Sequence, residues 1–280
     1  MKFNHVKSHA KINLALNVVG KSSRLHLIES IIAFINLYDI IYIKEIKSKK
    51  HQVSFFGKFS KNISKKNTIS ELLKILDDNY YLNKKFFIKV KKLIPTKSGL
   101  GGGSMNAAAV LNYFLKKKIV KIDKKRIIKI SKLIGEDVIL GLMSTYLIIN
   151  SKNKIKQYKI SKKFYTLIVK PNFGCSTKSI YSGVKKFEKA KFNNSNKNMF
   201  NKEFLKKMHN SLEPIAFSKY PKLEKIKSYL EKLTSPLFVR MSGSGSAIVA
   251  YFQTKKECDK AMTQFRKEYK KYWCISSKTI

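Results

Sequence analysis

The chain has 280 residues, room for one large domain or two of about 140 residues, and at 44% hydrophobic it can bury a real core, which excludes wholesale disorder. Its 59 Lys and Arg against 17 Asp and Glu give a net charge of +42, a balance that points to nucleic acid, an anionic membrane or a phosphorylated ligand. Only four of the 59 are Arg (Arg24, Arg126, Arg240 and Arg266), so the bidentate fork that grips phosphate backbones is scarce, and the charge reads as a compositional Lys bias on a solvated surface.

Lys2, Lys7 and Lys11 ahead of the apolar run 12–19 imitate a secretion signal, but Asn13 and Asn17 interrupt the run and no small-residue cleavage site follows, so it reads as a strand. Short β-branched or aromatic runs at 12–19, 27–34, 40–46 and 53–56 predict strands. The apolar stretches 31–43 and 138–149 fall far short of the roughly 20 residues of a membrane span. Thr68 and Glu71 form a capping-box pattern ahead of Leu72, Leu73, Ile75 and Leu76 on one helical face. A strand at 86–90 precedes a loop over 92–103, and Ala107, Ala108, Leu111 and Leu115 give a helix over 104–118. Asp123 is placed to cap a helix that Gly135 stops.

The second half restarts with a strand at 165–169 and a turn at 171–174. Residues 185–207, rich in Lys, Asn and Phe with little periodicity, read as loop, either a domain-level insertion or an active-site flap. A helix at 223–233 and strands at 237–241 and 247–252 around the Ser242-Gly243-Ser244-Gly245 turn come next. Thr254 with Glu257 caps a helix to about 267, and 272–276 closes as a strand. Two clusters of strands followed by helices predict an α+β fold of two lobes, divided as 1–152 and 153–280. Cys175, Cys258 and Cys274 are too few and scattered for a disulfide framework, which fits a reducing cytoplasm, and His5 with His9 lack the further ligands of a zinc site.

The segment with the most chemistry is Pro95-Thr96-Lys97-Ser98-Gly99-Leu100-Gly101-Gly102-Gly103-Ser104-Met105-Asn106-Ala107-Ala108. Four glycines in five residues free the backbone to turn N–H groups toward an anion, and the helix that starts there adds its positive dipole end. It is a phosphate cradle without the Gly-Lys-Ser/Thr of a Walker loop or the spacing of a dinucleotide fingerprint. A plain linker is the competing reading, but linkers are not followed at once by a small-residue helix with an apolar face.

The pattern closely resembles the phosphate loop of the galactokinase, homoserine kinase, mevalonate kinase and phosphomevalonate kinase superfamily, and within it the branch acting on a cytidine-diphosphate-linked alcohol. Ala10-Lys11-Ile12-Asn13-Leu14 is similar to that branch's first motif, and Arg240-Met241-Ser242-Gly243-Ser244-Gly245-Ser246-Ala247 to its C-terminal glycine motif. The resemblance implies an N-terminal ATP-binding lobe like ribosomal protein S5 domain 2, a ferredoxin-like C-terminal lobe, and ATP with Mg2+. It implies Asp137 as the base and Lys11 as its cationic partner, with Asn67, Lys92, Gly99, Gly101, Gly102, Gly103, Ser104 and Asn106 on ATP. It places Asn13, His26, Thr177 and Tyr181 on a small-molecule, cytidine-diphosphate-linked substrate, with no nucleic acid or membrane as partner. An Asp opening an apolar segment is more often a helix cap than a catalyst; the motifs in register reverse that reading for Asp137.

Departures from the branch accompany the match. Lys21-Ser22-Ser23-Arg24-Leu25-His26 is a shortened form of a motif with Tyr where Leu25 stands, which predicts base binding weaker by about 1 kcal/mol. Glu136 and Ile139 replace Ala and Pro around Asp137, and His209-Asn210-Ser211-Leu212-Glu213 lacks the motif's Asp. Two other readings remain: a sister kinase for another small alcohol such as homoserine or a mevalonate, and a nucleic-acid-binding protein using the +42 charge with 18 Phe and 14 Tyr.

Overall fold

The structure is a computed structural model that describes residues 2–22, 25–233 and 236–280. Two long strands open it, β1 (Asn4–Lys21) and β2 (His26–Ile46), followed by β3 (Gln52–Phe56), α1 (Thr68–Asp78) and β4 (Lys85–Lys91). Helices α2 (Gly102–Lys116), α3 (Lys124–Ile134) and α4 (Val138–Met143) come next, then β5 (Tyr146–Ile149), β6 (Ile155–Tyr158) and β7 (Tyr165–Lys170). The remainder is α5 (Thr177–Tyr181), a 3-10 turn at Lys197–Phe200, α6 (Lys202–Lys206), α7 (Glu213–Lys219), α8 (Pro221–Lys232), β8 (Phe238–Met241), β9 (Ile248–Phe252), α9 (Lys255–Glu268) and β10 (Trp273–Lys278). Contacts divide the chain into two units: Met1–Ala10, Leu37–Thr96 and Gly101–Ser144 form the first, and Lys11–Asn36, Lys97–Leu100 and Thr145–Ile280 the second. The second unit thus draws residues from both sides of position 152.

In the first unit the C-terminal half of β2 pairs antiparallel with β4 from Ile40↔Lys91 to Ile46↔Lys85, and β3 adds to β4 in parallel. Ile41, Ile43, Ile88 and Val90 of the sheet meet Leu72, Leu73 and Leu76 of α1 and Ala107, Leu111 and Phe114 of α2 in one core. Each such fully buried aliphatic side chain is worth about 1.5–3 kcal/mol. Helices α2 and α4 approach closely because Gly141 has no side chain: a Cβ there would stand 2.6 Å from Ala108 Cβ.

In the second unit β7 to β10 form an antiparallel sheet in the order β10-β7-β9-β8. That order, with helices between β7 and β8 and α9 between β9 and β10, is the ferredoxin-like arrangement expected for this part of the chain. The N-terminal half of β2 pairs with β5 from Ser30↔Ile149 to Ile32↔Leu147, and β5 with β6.

Several expectations are corrected. The strands at 27–34 and 40–46 are one strand, because the polar break between them costs nothing: Asn36 is exposed, and buried Asp39 is satisfied by the N–H groups of Leu93 (2.7 Å) and Ile94 (2.8 Å) and by Lys92. The apolar stretch 138–149, for which no element is predicted, holds α4 and β5, separated at Ser144 by its left-handed backbone (φ 46, ψ 42). The first capping box belongs to Asn67 and Ser70 instead of Thr68 and Glu71: the Asn67 amide reaches the N–H groups of Ile69 and Ser70, while the Thr68 hydroxyl donates to Gly103 O at 2.7 Å. Helix α2 begins at Gly102, two residues before the expected start, so two of the loop's glycines lie in its first turn.

Candidate active site

In the first unit the site is built around the start of α2. Gly101 takes a left-handed conformation (φ 71, ψ 11) as N-cap, with no side-chain cap and no acidic residue in the first turn. The opening N–H groups of Gly102, Gly103 and Ser104 therefore form an uncapped positive end suited to an anion. Lys92 brings a cation beside them: its Nζ lies 3.4 Å from where a Cβ on Gly102 would stand, with Ile94 Cγ2 at 3.1 Å. A side chain on Gly102 would fill that cradle. Lys92 is itself buried and ion-paired with the fully buried Asp39, an arrangement that fixes the ammonium, because an unpaired buried charge would cost several kcal/mol (about 3–5).

The turn before α4 closes on the same place. Ser104 Oγ is 3.6 Å from where a Cβ on Gly135 would stand, two residues ahead of Asp137. Asp137 is half-buried at the N-cap of α4, and its side chain makes no capping hydrogen bond. Asn67, expected on ATP, also caps α1: its oxygen accepts from Ile69 and Ser70 N–H, and its amide nitrogen donates to Ser64 O (3.2 Å) and Lys65 O (3.1 Å). Both donors and both acceptor sites of that amide are occupied by the turn it caps. Asn106 is buried with Oδ1 lacking a hydrogen-bond partner, an acceptor left over next to the loop.

Among the described residues no cluster of three His, Cys, Asp or Glu side chains could cage a metal. A Mg2+ carried on nucleotide phosphates needs only one or two protein oxygens, and the Asp137 carboxylate, the Ser104 hydroxyl and the orphaned Asn106 Oδ1 fit that requirement.

In the second unit the first motif, the edge of the loop and the C-terminal glycine motif meet. Buried Lys11 donates from Nζ to Asn13 Oδ1 at 2.9 Å, and Asn13 Nδ2 donates to Ser30 Oγ at 2.8 Å. The Ser242 hydroxyl accepts from Asn13 N–H (3.3 Å) and donates to Gly99 O (3.0 Å), while Lys11 N–H donates to Leu100 O (3.1 Å). Gly99 has φ 75, and a Cβ there would sit 1.9 Å from Ser242 O, so this glycine serves backbone packing. Thr177 shares a hydrogen bond of 2.9 Å with Ser244. The altered motif 209–213 supports the same turn: Asn210 Nδ2 donates to Met241 O and Gly243 O, and Glu213 accepts from Met241 N–H. Arg240 donates to backbone carbonyls of Leu14, Leu205 and Met208, a structural use of its guanidinium. Burial pushes the Cys175 thiol up to about 11, which keeps it protonated and inert.

The residues expected to recognise the base gather elsewhere in this unit. The His26 ring lies 5.3 Å from that of Tyr181, tilted at 39°. Phe187, which no sequence signal singled out, stands 6.5 Å from His26 and is 49% exposed, an aromatic presented to solvent beside an imidazole. Burial, then the charge of Lys21, holds the His26 pKa below its ordinary value, so the ring is neutral at pH 7 and offers one donor and one acceptor. Leu25 is exposed, and Ser23 and Arg24 of the shortened motif lie outside the described residues.

Residues 67–147 match the GHMP kinases N terminal domain and residues 192–271 match GHMP kinases C terminal, so the fold is that of a GHMP kinase. A solved 4-(cytidine 5'-diphospho)-2C-methyl-D-erythritol kinase superposes with a TM-score of 0.81 at 22% identity, covering 99% of this chain and 100% of that one. Homoserine kinase from Cytophaga hutchinsonii gives 0.70 at 16%, covering 99% and 94%; at these identities the likeness is one of fold. By sequence, the chain is 57% identical over 276 residues to the 4-diphosphocytidyl-2-C-methyl-D-erythritol kinase of Pelagibacter ubique (strain HTCC1062), covering 98% of each. It is 31% identical over 280 residues to that of Clostridium kluyveri, covering 95% and 96%. The chain belongs to the 4-diphosphocytidyl-2-C-methyl-D-erythritol kinase family, phosphotransferases within the GHMP kinases.

Proposed function

We propose that the protein transfers the γ-phosphoryl group of ATP, with Mg2+, to the 2-hydroxyl of 4-diphosphocytidyl-2-C-methyl-D-erythritol, a step of isoprenoid precursor synthesis. The observation that carries the reading is the uncapped start of α2, with Lys92 held beside it by Asp39 and the Asp137 turn against Ser104. The N–H groups of Gly102 to Ser104 and the Lys92 ammonium bind the phosphates and balance their charge. Asp137 accepts the hydroxyl proton as the alcohol oxygen bonds to the γ-phosphorus and the bond to the ADP oxygen breaks. Lys11, fixed by Asn13, steers the alcohol, and alignment supplies much of the remaining acceleration. A bound Mg2+ supplies further charge neutralisation at the phosphate oxygens. His26 reads the cytosine edge while Tyr181 and Phe187 pack on the base. Asn67 supports the adenine site through the turn it caps. Three buried free thiols and the absence, among the described residues, of a helix able to cross a membrane support a cytoplasmic placement.

Asp137→Asn tests the reading. Turnover falls about 100-fold or more, the usual worth of a lost general base, while the thermal shift with Mg-ATP persists. Turnover near that of the unaltered enzyme, or a higher kcat/KM with homoserine or mevalonate than with the cytidine compound, overturns it.

A further inference from the structure

The stretch 185–207, expected to be loop, is helical at α6 and is pinned ahead of it by a buried carboxylate. Residues 185–196 form no helix or strand, yet Phe192 is fully buried and its ring stands 6.4 Å from that of Phe204. Glu29 of β2 reaches this segment from beneath. It is fully buried, its Oε2 accepts from Lys191 N–H at 2.7 Å, and its Oε1 accepts from Phe192 N–H (3.1 Å) and Ser151 N–H (3.2 Å).

No Lys, Arg or His is ion-paired with Glu29 among the described residues. A carboxylate without a counter-charge is costly to bury, and three converging backbone donors are what offset that cost, because hydrogen bonds to an ionised acceptor are stronger than neutral ones. An apolar anchor would have sufficed merely to cover core. Three backbone N–H groups from two separate segments instead fix the position of the chain itself.

What that chain carries is Phe187. The anchor at 191–192 follows it by four residues, and directly after it Glu188 N–H donates to Val18 O at 2.9 Å. Glu29 lies three residues beyond His26 on the same strand, about 10 Å along an extended chain. One strand therefore presents the base-reading imidazole and also holds the segment that sets an aromatic ring beside it.

We infer that Glu29 is a positioning residue for substrate recognition: its carboxylate fixes the strap 187–193 so that Phe187 forms a wall of the cytosine site. The inference rests on the cytidine-site reading above. Gln at 29 has a single acceptor oxygen and turns an NH2 group toward a backbone N–H, so at least one of the three bonds is lost.

The test is a double-mutant cycle of Glu29→Gln and Phe187→Leu, with KM for the cytidine substrate, KM for ATP and hydrogen exchange of residues 187–193 as readouts. In Glu29→Gln, exchange at Lys191 and Phe192 accelerates at least about tenfold, KM for the cytidine substrate rises about five- to tenfold, and KM for ATP stays within about twofold, as expected for binding that is uniform through the reaction. The double variant matches Phe187→Leu alone, because Glu29 acts through that ring. Should Glu29→Gln fail to fold, Lys191→Pro removes one of the donors from an exposed position, and exchange at Phe192 with the same KM values reads it. A strap that opens with KM for the cytidine substrate unchanged, or additive effects in the cycle, overturns the role of Glu29. If Phe187→Leu and His26→Ala are both neutral, the base-site reading itself fails, which is a separate outcome.

Discussion

The proposed phosphate cradle and the proposed base site of this kinase are made in opposite ways. At the start of α2 the working groups are backbone N–H groups of consecutive residues, Gly102 to Ser104, made available by a left-handed Gly101. At the base end they are the rings of His26, Tyr181 and Phe187, drawn from a strand, a short helix and an irregular strap. A site made of contiguous backbone fails when one Cβ enters it. A site made of dispersed rings loses affinity in steps, each worth about 0.5–1.5 kcal/mol.

The largest expected effect sharpens the comparison by dividing the glycine run itself. Gly99 packs backbone on backbone, so Gly99→Ala meets Ser242 O and a φ of 75 that Ala resists. Strain and overpacking together should remove about 3–5 kcal/mol of stability. Urea unfolding measures this, and a loss under about 1 kcal/mol would mean that the packing against Ser242 relaxes freely.

Gly102→Val comes next and acts on the ligand. Its side chain would stand where Lys92 Nζ and Ile94 Cγ2 leave 3.4 Å and 3.1 Å. The melting temperature without nucleotide should fall modestly, by the equivalent of about 1–2 kcal/mol, while the shift with Mg-ATP disappears. A preserved nucleotide shift would break the backbone-cradle side of the comparison.

The same difference decides what could be read in the sequence. The cradle is contiguous, so its glycines, its helix and its resemblance to a kinase loop stood in one line of text. Asp39, which holds Lys92, lies 53 residues away from it, and Glu29 lies 163 residues from Phe192. No local pattern links such partners, and Phe187 sat in a stretch without periodicity. Asn67 carries a part no local pattern announced: expected on ATP, its amide also caps α1, one residue ahead of the expected Thr68. The long β2 was read as two strands because a buried Asp looks like a break until its partners are known.

His26 provides a graded effect at the base end, with its sign set by its lowered pKa. Above the ordinary value of about 6.5 the ring is neutral in both the folded and unfolded chain. The folded ring protonates only below that value, so KM for the cytidine substrate should be flat from pH 7 to 8 and rise as pH drops beneath 6.5 through the lowered pKa, when the acceptor nitrogen is lost. His26→Ala should raise KM about tenfold, a hydrogen bond's worth, remove that acid limb and reduce discrimination between cytosine and uracil. An acid limb unchanged in His26→Ala would assign it to another group.

The smallest effect concerns Leu25. Sequence alone assigns the missing wall of the base site to this position, which predicts a gain of about 1 kcal/mol for Leu25→Tyr. The structure puts Phe187 beside His26 and leaves Leu25 54% exposed. A second aromatic added where one already packs has little area left to cover, so Leu25→Tyr in the unaltered background should lower KM by only about twofold, without changing kcat. In a Phe187→Leu background the same substitution should recover about five-fold, because the new ring then supplies the face the strap has lost. KM for the cytidine substrate across the four combinations separates the two accounts. Equal gains in both backgrounds would mean that positions 25 and 187 do not serve the same face of the base, and that the graded side of the comparison is assembled from independent contacts.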